Sequence, residues 1–417
     1  MTQPQSAIIV GGGVVGTACA YYLRRRGLEV TIVEQGEFGM ACSHANCGYI
    51  SPSHVLPLAM PGAVRKTLKM MRKKNSPIYI KPRINLRLWG WLWRFARRCN
   101  EKDMLAGGAG RHALLQSSRA LYDELIRDEQ LDCEYETLGC LFAYEDQKTF
   151  DGFAEEDALI QKHFGVAARR LDGEALVEFE PALKPGLAGA WLYEMDAHLR
   201  PDRLLSSWRK VLEERGVKIS EETTVGSFRR RDDGTVAVHT DAGDLFADVC
   251  VGAAGAVTPL LEKSLGCKIP IQPGKGYSIT MPRPARCPTY PMIFPEVKVA
   301  VTPFRSGYRL GSTMEFSGYD TTLNQKRLAA LKEGASKFLH EPYCEPVEEQ
   351  WYGWRPMTYD GMPIISRAPA AENIFIAAGH NMLGLSMATG TGNLVAELIT
   401  GETPHIDPSP YDVRRFG

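Results

Sequence analysis

Three glycines near the start of the chain have the spacing of a phosphate-binding turn. Gly11, Gly13 and Gly16 form a G-x-G-x-x-G motif. The apolar run 7–10 before it predicts a buried strand, and the pattern over 14–26 after it predicts a helix. The first glycine permits a tight turn, the second lets the backbone approach a pyrophosphate, and the third lets the helix pack against the strand. The motif therefore predicts a dinucleotide whose pyrophosphate lies at the positive end of the helix dipole.

An acidic side chain follows this turn at the distance expected of a ribose-binding residue. Glu34 ends the apolar run 29–34, eighteen residues beyond Gly16. A carboxylate at this point accepts hydrogen bonds from the two ribose hydroxyls, and it favours an unphosphorylated ribose over that of NADP. Because NAD and FAD both carry such a ribose, the turn and Glu34 do not separate the two.

Five further motifs follow in the order shared by one enzyme family. They are residues 43–48 (SHANCG), 248–255 (DVCVGAAG), 273–277 (PGKGY), 353–363 (GWRPMTYDGMP) and 379–384 (GHNMLG). In this order and spacing, the chain resembles the FAD-dependent D-amino acid oxidase superfamily, which includes glycine and sarcosine oxidases. The likeness covers nearly the whole chain and is closest to the small subunit of bacterial D-amino acid dehydrogenases.

The resemblance implies FAD rather than NAD. In such proteins the loop 43–48 wraps the phosphates and the flavin edge, while the start of the last helix faces the flavin pyrimidine carbonyl, where its free N–H groups stabilise negative charge. Sarcosine oxidases that tether FAD use a cysteine near the position of Arg355. Because no cysteine lies beyond Cys344, we expect non-covalent FAD. The expected cofactor-binding residues are Gly11, Gly13, Val14, Val15, Gly16, Glu34, Gln35, Ser43, His44, Asn46, Gly48, Val225 (beside the adenine), Ala254, Gly255, Gly353, Leu383, Gly384 and Leu385.

The resemblance also implies a set of catalytic residues. Arg355 stands where the family grips the substrate carboxylate, and its planar guanidinium matches a carboxylate through two parallel hydrogen bonds. A surface arginine is the less favourable interpretation in this apolar Trp-Arg-Pro setting. Tyr49 and Tyr277 are candidates for the pocket lining, with burial in the core as the alternative. His380 is a candidate base, although in its glycine-rich turn it could serve only as a hydrogen-bonding partner.

Three positions depart from the family pattern. Glycine oxidases carry a second arginine where Met382 stands, so the carboxylate would need another partner. Bacterial D-amino acid dehydrogenases have glycine and tryptophan where Asn381 and Leu385 stand. These departures predict a substrate pocket different from theirs.

The expected reaction is oxidative deamination of a small amino acid to a 2-oxo acid, with a D-amino acid favoured. Arg355 would fix the carboxylate so that the Cα–H bond points at flavin N5, and the neutral amine would help to expel hydride. We expect a membrane quinone or similar acceptor to take the electrons. Two alternatives stay open: a glycine- or sarcosine-type oxidase that uses oxygen, and the flavoprotein subunit of a D-hydroxyproline or opine dehydrogenase complex with partner subunits.

Bulk composition argues against several other classes of protein. The formal net charge is zero, so no global field favours nucleic acid. The ten cysteines include no C-x-x-C pair, which argues against a metal site and favours free thiols in a reducing compartment. The amino terminus lacks the pattern of a secretory signal. We therefore expect a cytoplasmic protein without a metal.

The remaining pattern predicts the elements that position these residues. Residues 225–231, 235–240 and 244–251 alternate like a small antiparallel meander. Other helices are expected over 101–129, 149–164, 201–215 and 383–400, and other strands over 139–144, 218–220, 276–281, 297–302, 308–312 and 374–378. The predicted fold class is α/β, with a Rossmann-like FAD-binding domain and a mainly antiparallel-sheet substrate domain.

The cofactor domain is predicted to be discontinuous in sequence. We assign residues 1–60, 165–265 and 346–417 to it, and residues 100–164 and 266–345 to the substrate domain. Residues 61–99 form an inserted segment rich in basic and aromatic side chains.

A basic stretch surrounds this insertion. Residues 38–100 contain twelve Lys or Arg and no Asp or Glu, so the rest of the chain carries the opposite charge. Trp89, Trp91 and Trp93 lie within it. Bases with tryptophans suit an anionic membrane surface, and the membrane quinones used by the family's dehydrogenases support that partner. The alternative is a solvated helix pair packed on the acidic body. With membrane contact, the protein would be peripheral on the cytoplasmic face of the inner membrane.

Overall fold

A computed structural model describes residues 3–71, 76 and 78–417 of the 417-residue chain. Three members of the basic stretch, Arg72, Lys73 and Lys74, lie outside the described residues.

The described elements cover most of the chain. The helices are α1 (Val14–Arg25), α2 (Ala63–Met71), α3 (Leu86–Arg98), α4 (Glu101–Asp128), α5 (Gln147–Phe164), α6 (Gly173–Phe179), α7 (Pro201–Glu214), α8 (Glu262–Leu265), α9 (Gln325–Ser336) and α10 (Gly384–Thr400). The strands are β1 (Ser6–Val10), β2 (Glu29–Val33), β3 (Tyr49–Ile50), β4 (Ile78–Ile80), β5 (Cys140–Tyr144), β6 (Arg169–Asp172), β7 (Gly189–Tyr193), β8 (Ala197–His198), β9 (Lys218–Ser220), β10 (Val225–Arg230), β11 (Val236–Thr240), β12 (Gly243–Ala247), β13 (Val249–Gly252), β14 (Ile271–Met281), β15 (Met292–Phe294), β16 (Val299–Phe304), β17 (Gly307–Phe316), β18 (Glu349–Thr358), β19 (Ile364–Arg367) and β20 (Ile374–Ala378).

The first sheet carries the glycine turn. Its strand order is β19-β20-β13-β1-β2-β9, and its pairs are parallel except for β19 with β20. α1 and α10 pack together on it, because Gly392 of α10 lies against the backbone of Ala18 where a Cβ would not fit. The predicted β-α-β unit and the last helix are therefore present, with their ends shifted by no more than two residues.

The antiparallel meander contains β10, β11 and β12. One predicted strand, 244–251, is divided at Asp248: β12 completes the meander, whereas β13 enters the first sheet beside β1. The Asp248 carboxylate explains the break, since it accepts hydrogen bonds from the backbone N–H groups of Gln5 and Ser6 at 2.7 and 2.9 Å. The side chain thereby fixes the start of β1 to the start of β13.

The large second sheet has the order β18-β14-β17-β16-β15-β5-β7-β6, and β4 pairs parallel with β17. One face is apolar and packs under α9, through Tyr277 and Ile279 against Leu328 and Leu331. The opposite face meets the loop that follows β2, where the Ser278 hydroxyl donates to the Ala45 carbonyl oxygen at 2.7 Å. The α/β fold class with a second, mainly antiparallel sheet is confirmed.

Two segments lie elsewhere than the predicted domain ranges put them. β6 and β7 fall within 165–265, which was assigned to the cofactor domain, but β7 pairs with β5 and β6 pairs with β7 in the large sheet. α4 was assigned to the substrate domain, yet Leu114 and Tyr122 belong to the core formed with α1 and α10. Local periodicity could not show either placement, because both depend on tertiary pairing.

Within residues 3–71, 76 and 78–417, no helix is both long and apolar enough to cross a membrane. The same residues include no group of three or more His, Cys, Asp and Glu side chains that could hold a metal ion.

Candidate active site

The glycine turn connects β1 to α1 with no room for side chains at two of its positions. Gly11 has φ +114°, and a Cβ there would lie 2.6 Å from the carbonyl oxygen of Ala253. A Cβ on Gly16 would overlap the carbonyl oxygen of Gly11. Gly13 lies at the N-cap of α1, where a Cβ would have 3.4 Å to its nearest neighbour, the Ser43 hydroxyl. The turn therefore presents bare backbone at the amino end of a buried helix, as a pyrophosphate requires.

Glu34 is held beside this turn. One carboxylate oxygen accepts from the backbone N–H of Gly12 at 2.7 Å, and the other accepts from that of Gly36 at 3.1 Å. The side chain is buried, and it follows β2 at the carboxyl end of the first sheet. This is the geometry in which a carboxylate can receive the ribose hydroxyls of a dinucleotide. Gln35, the next residue, is exposed.

The loop 43–48, which we call the cofactor loop after its predicted role, joins the turn to the large sheet. The Ser43 hydroxyl accepts from the Val14 N–H at 3.1 Å, which places it at the start of α1. Asn46 stiffens the loop by donating to the Ser43 carbonyl oxygen at 2.9 Å and accepting from the Gly48 N–H at 2.8 Å. Gly48 has φ +74°, and Leu199 leaves no room for a Cβ there.

Two charged contacts hold the same loop against the large sheet. His44 Nε2 lies 2.8 Å from a carboxylate oxygen of Glu349, and this hydrogen bond lowers the pKa of Glu349. The buried guanidinium of Arg309 donates to the Asn46 carbonyl oxygen at 2.8 Å and to the Thr280 hydroxyl at 2.9 Å. Sequence reasoning did not single out Arg309 or Glu349, because both are separated from the loop by some 260 to 300 residues.

The start of α10 lies beside the short strand that follows the loop 43–48. Leu383 is its N-cap residue, and Gly384 and Leu385 open its first turn. The Ser386 hydroxyl donates to the Tyr49 carbonyl oxygen at 2.8 Å and accepts from the Ser51 N–H at 3.1 Å. The free N–H groups of this helix start therefore lie next to the segment that follows the cofactor loop, where they would stabilise negative charge.

The other predicted cofactor residues lie at several places around the two sheets. Ala254 is close to the glycine turn, with its Cα 3.2 Å from the point that a Cβ on Gly11 would occupy, and Gly255 follows it with φ +54°. Val225 begins β10 and packs against the core cluster that contains the ends of β1 and β2. Val15 is in the first turn of α1. Gly353 lies on β18, where the Trp351 ring excludes a Cβ.

Arg355 lies on β18 with its guanidinium across Gly276 of β14, where a Cβ would overlap it. Nη1 donates to the carbonyl oxygen of Thr313 at 2.6 Å, and the thioether sulfur of Met314 is 4.0 Å away. Burial lowers the pKa of Arg355. Among the described residues no carboxylate pairs with this guanidinium. A buried cation without a counter-charge and with donors to spare fits a carboxylate ligand.

A β-bulge aims the Thr313 carbonyl at Arg355. The register of β14 with β17 shifts between Lys275 and Tyr277, and Ser312 and Thr313 take φ values of +116° and +60°. Such values are strained for residues with side chains, and strain of this kind concentrates at ligand sites. The bulge leaves no clear trace in the local sequence, since neither residue is a glycine.

Tyr277 does not join this group. Strand alternation puts Gly276 and Ser278 on the face toward the cofactor loop, so Tyr277 points the other way, under α9. Its hydroxyl donates to Glu315 at 3.3 Å, and its side chain is 1 % exposed. Tyr277 is therefore a core residue, as the alternative interpretation had it, and the prediction that it lines the substrate pocket is wrong.

Tyr49 is near the site, but its hydroxyl is committed to the sheet. The oxygen lies 2.9 Å from the carbonyl oxygens of both Met292 and Val301 and shares its proton between them. Burial raises the pKa of Tyr49 well above its usual value. The residue therefore positions the chain between the cofactor loop and Ser51 and is not suited to accept a proton.

His380 is buried and neutral. Its Nε2 lies 2.9 Å from the Thr391 hydroxyl, and burial lowers the pKa of His380 to about 3. The neighbouring Asn381 has φ +55° and ties the turn to Thr358 through two hydrogen bonds of 3.0 Å. Met382, at the position of the second arginine of glycine oxidases, is 43 % exposed. This geometry favours the hydrogen-bonding interpretation of His380 over proton transfer.

The buried carboxylate of Asp196 lies beside Ser53, in the segment that follows Tyr49 and Ser51. The Asp196 carboxylate accepts from the backbone N–H of Ser53 at 3.0 Å and from its hydroxyl at 2.6 Å. Burial raises the pKa of Asp196 to about 7. Val55, two residues after Ser53, packs in an apolar cluster with Tyr193. No motif pointed to Asp196, because its partners are more than 140 residues away in sequence.

Comparison with known proteins decides the family. The model of a family described as FAD dependent oxidoreductase matches residues 6–398. The chain belongs to this family. The resemblance inferred from the five motifs is thereby confirmed, and the protein is an FAD-dependent enzyme.

The relatives of this oxidoreductase cover it from end to end. A D-amino acid dehydrogenase of Granulibacter bethesdensis is 33 % identical over 419 residues, spanning 98 % of this chain and 99 % of that protein. One of Methylobacterium nodulans is 33 % identical and spans 96 % of both chains. The fold is similar to glycine oxidase from Geobacillus kaustophilus (TM-score 0.80, 21 % identity, 99 % of each chain) and to L-proline dehydrogenase from P. horikoshii (TM-score 0.75, 21 % identity, 100 % of this chain and 98 % of that one).

Proposed function

We propose that this oxidoreductase deaminates a small amino acid oxidatively to a 2-oxo acid, and that a D-amino acid is its preferred substrate. The observation that carries the proposal is Arg355, a buried guanidinium beside the cofactor loop with no described carboxylate partner. The substrate carboxylate would supply that partner. The relatives named D-amino acid dehydrogenase, at 33 % identity over nearly the full length, support the same substrate class.

FAD, when bound, supplies the two-electron acceptor for the hydride that leaves the alpha carbon. Glu34 would hold the ribose, and the turn at Gly11 and Gly13 would receive the pyrophosphate. The start of α10 would provide a positive electrostatic environment for the bound cofactor. Arg355 orients the substrate by its carboxylate, so that binding energy is converted into a fixed position of the Cα–H bond.

No side chain among the described candidates is suited to act as a base. The Tyr49 hydroxyl is engaged by two carbonyl oxygens, Tyr277 faces α9, and His380 is held by Thr391. A hydride mechanism suits this arrangement, because the lone pair of a neutral amine assists departure of the hydride and no proton is taken from carbon. The imino acid formed in this way is then hydrolysed by water.

We propose a membrane quinone as the electron acceptor, reached from the cytoplasmic face of the inner membrane. Two observations support it. The relatives are named dehydrogenases rather than oxidases, and residues 38–100 combine twelve bases with no acid. Anionic lipid would attract such a stretch.

A substrate screen tests the proposal. Purified holoenzyme is assayed by dye reduction with D-amino acids, their L-enantiomers, prolines and N-methyl amino acids, and peroxide is measured in parallel. We expect turnover of D-amino acids by the isolated chain with little peroxide. Turnover confined to glycine or sarcosine with stoichiometric peroxide would identify an oxidase instead, and inactivity of the isolated chain toward every amino acid would indicate a subunit of a larger complex.

A further inference from the structure

The helix α3 is anchored to the body of the protein by one face. Leu88 and Trp91 are buried in a cluster with Phe316 and Met357. The Trp91 indole N–H is shared between the carbonyl oxygens of Pro270 and Met357, at 3.0 and 3.2 Å. The helix also begins at a capped residue, since the Asn85 side chain accepts from the Leu88 N–H at 3.0 Å. α3 is therefore a fixed element whose orientation is determined.

The opposite face of α3 presents large apolar side chains to solvent. Leu86, Trp89 and Trp93 are 84, 56 and 59 % exposed, and Ile84 just before the helix is 99 % exposed. Spacings of three and four residues put the three helical residues in one row. An exposed apolar row of this size on a rigid helix is unfavourable in water and marks an interaction surface. We call Ile84, Leu86, Trp89 and Trp93 the apolar row.

Basic side chains flank the apolar row. Arg87, Arg94 and Arg97 are exposed on the same helix, and the Arg97 guanidinium lies 4.8 Å from the centre of the Trp93 ring. Arg87 pairs with Glu262 at 3.1 Å, whereas Arg94 and Arg97 form no ion pair with a described residue. The helix α2, which precedes β4 in the chain, exposes Arg65, Lys66 and Lys69, and its Leu68 is 56 % exposed.

The geometry points to α3 as the element that inserts into an anionic lipid surface, with the apolar row below the headgroups and Arg94 and Arg97 at the level of the phosphates. Tryptophan and leucine on one face with arginine at the boundary is the arrangement of an interfacial helix. α3 would be the contact surface for the membrane partner of the proposed function. The inference rests on that function only for the identity of the electron acceptor. Its evidence is the exposure and charge of α3.

Charge decides between lipid and a second copy of the chain. A two-fold dimer through this face would place the arginines of one copy against those of the other, because such an interface pairs the same patch with itself. Arg87 and Arg98 are paired with Glu262 and Asp103, but Arg94 and Arg97 have no carboxylate partner among the described residues to relieve that repulsion. A surface of lipid phosphates supplies negative charge continuously and accepts tryptophan rings at its boundary.

The contacts of α3 and β4 also connect the proposed membrane surface to the candidate active site. Trp91 bonds to the carbonyl oxygen of Met357, and Met357 is two residues beyond Arg355 on β18. β4, which precedes α3, pairs with Met314 and Phe316 of β17, directly after the bulge that faces Arg355. β4 and α3 are therefore attached to β17 and β18, the strands that carry the Thr313 carbonyl and Arg355. With α3 docked on the membrane, the candidate site would lie close to an acceptor dissolved in the bilayer.

Vesicle sedimentation with the holoenzyme tests the inference. We expect the parent to bind phosphatidylcholine vesicles containing phosphatidylglycerol at least tenfold more tightly than pure phosphatidylcholine vesicles. Trp89→Ser with Trp93→Ser should lose at least tenfold in affinity at every salt concentration. Arg94→Gln with Arg97→Gln should lose up to about 30-fold in affinity at low salt, about fivefold per base, and little at high salt.

Matched variants control for general surface effects. Phe246→Ser with Leu138→Ser removes two exposed apolar side chains elsewhere, and Lys210→Gln with Arg229→Gln removes two exposed bases elsewhere. Both should bind anionic vesicles like the parent. The inference is overturned if the tryptophan variant binds anionic vesicles like the parent, or if the control variants lose as much affinity as it does. It is also overturned if the parent does not bind lipid but forms dimers that the tryptophan substitutions abolish.

Dye-linked turnover of amino acids, measured on the same samples, separates the two proposals. Lipid binding that depends on Trp89 and Trp93 supports α3 docking even where no amino acid is oxidised, and in that case the proposed function fails alone. Turnover in a protein that ignores anionic vesicles overturns the docking inference alone. All variants should keep their flavin and their dye-linked rate, because the substituted residues lie on the outside of the molecule.

Discussion

Arg355 donates from Nη1 to the carbonyl oxygen of Thr313 at 2.6 Å, across a bulge in which two consecutive non-glycine residues have positive φ. This bond fixes one edge of the guanidinium, and its other donors form no hydrogen bond with a described residue. A bidentate carboxylate could therefore bind to a cation that is already oriented, and the substrate would lose less entropy on ordering. Met382, at the position of the second arginine of glycine oxidases, is uncharged and 43 % exposed, so we expect Arg355 to be the principal anchor.

Replacing Arg355 by lysine should lower kcat/KM about 30-fold or more, equivalent to ~2 kcal/mol, because a point charge cannot reproduce a planar two-bond fork or the bond to Thr313. Flavin content should not change. Arg367→Lys, on the exposed end of β19, is the matched control and should behave like the parent. An unchanged kcat/KM for carboxylate substrates would remove Arg355 from the site.

Glu34→Gln should weaken FAD binding roughly 10- to 100-fold. An amide cannot accept from Gly12 and Gly36 on both of its polar atoms, so one hydrogen bond to a charged acceptor is lost, with a contribution of about 1.5–3 kcal/mol. Reconstitution of the apoprotein with FAD, followed by fluorescence quenching, measures the change. Glu37→Gln, at an exposed acid three residues away, should bind FAD normally; equal losses in both variants would argue against a specific role for Glu34.

The flavin should be released when the protein is denatured. Cys344 is the last cysteine of the chain, so none is present where the tethering family members attach FAD. Precipitation with acid or heat should leave a yellow supernatant and a colourless pellet. Flavin that stays with the pellet would mean a covalent bond elsewhere, with Cys47 of the cofactor loop and Cys42 just before it the first residues to examine.

The parts of this architecture that depend on local patterns were accessible from sequence, and those that depend on long-range contacts were not. The glycine turn and Glu34 obey short-range steric rules, so both their position and their role could be predicted. Tyr277 was misplaced because the motif around it does not reveal which face of β14 points to the cofactor loop. The Thr313 carbonyl and the Asp196 carboxylate were missed, since each acquires its partner only through tertiary folding.

His380→Gln should leave the shape of the pH profile of kcat/KM unchanged between pH 6 and 9. The pKa of about 3 that burial produces keeps the imidazole neutral throughout that range, and its contact with Thr391 is a structural one. A moderate fall in thermal stability is expected, since glutamine fits the buried site imperfectly. Loss of an ionisation from the profile, with the flavin still bound, would restore His380 as a proton-transfer group.

Asp196 provides a pH-dependent contribution to stability whose sign can be derived. Burial raises its folded-state pKa to about 7, above the value of about 4 for an unfolded chain. Between these values the folded protein binds more protons than the unfolded chain, so this contribution falls as pH rises. It is fully present below pH ~4 and is lost as pH passes through about 7.

Asp196→Asn removes that titration while its amide can still accept from the Ser53 N–H and donate to the Ser53 hydroxyl. The difference in Tm between parent and variant should therefore be most favourable to the parent near pH 5 and should move toward the variant by pH 8, where the parent must bury an ionised carboxylate. Asp232→Asn, at an exposed loop, should track the parent at every pH. Thermal unfolding of both variants in a series of buffers from pH 5 to pH 8 measures the trend. A Tm difference that stays constant over that range, or that moves in favour of the parent as pH rises, would show that Asp196 does not titrate as its burial requires.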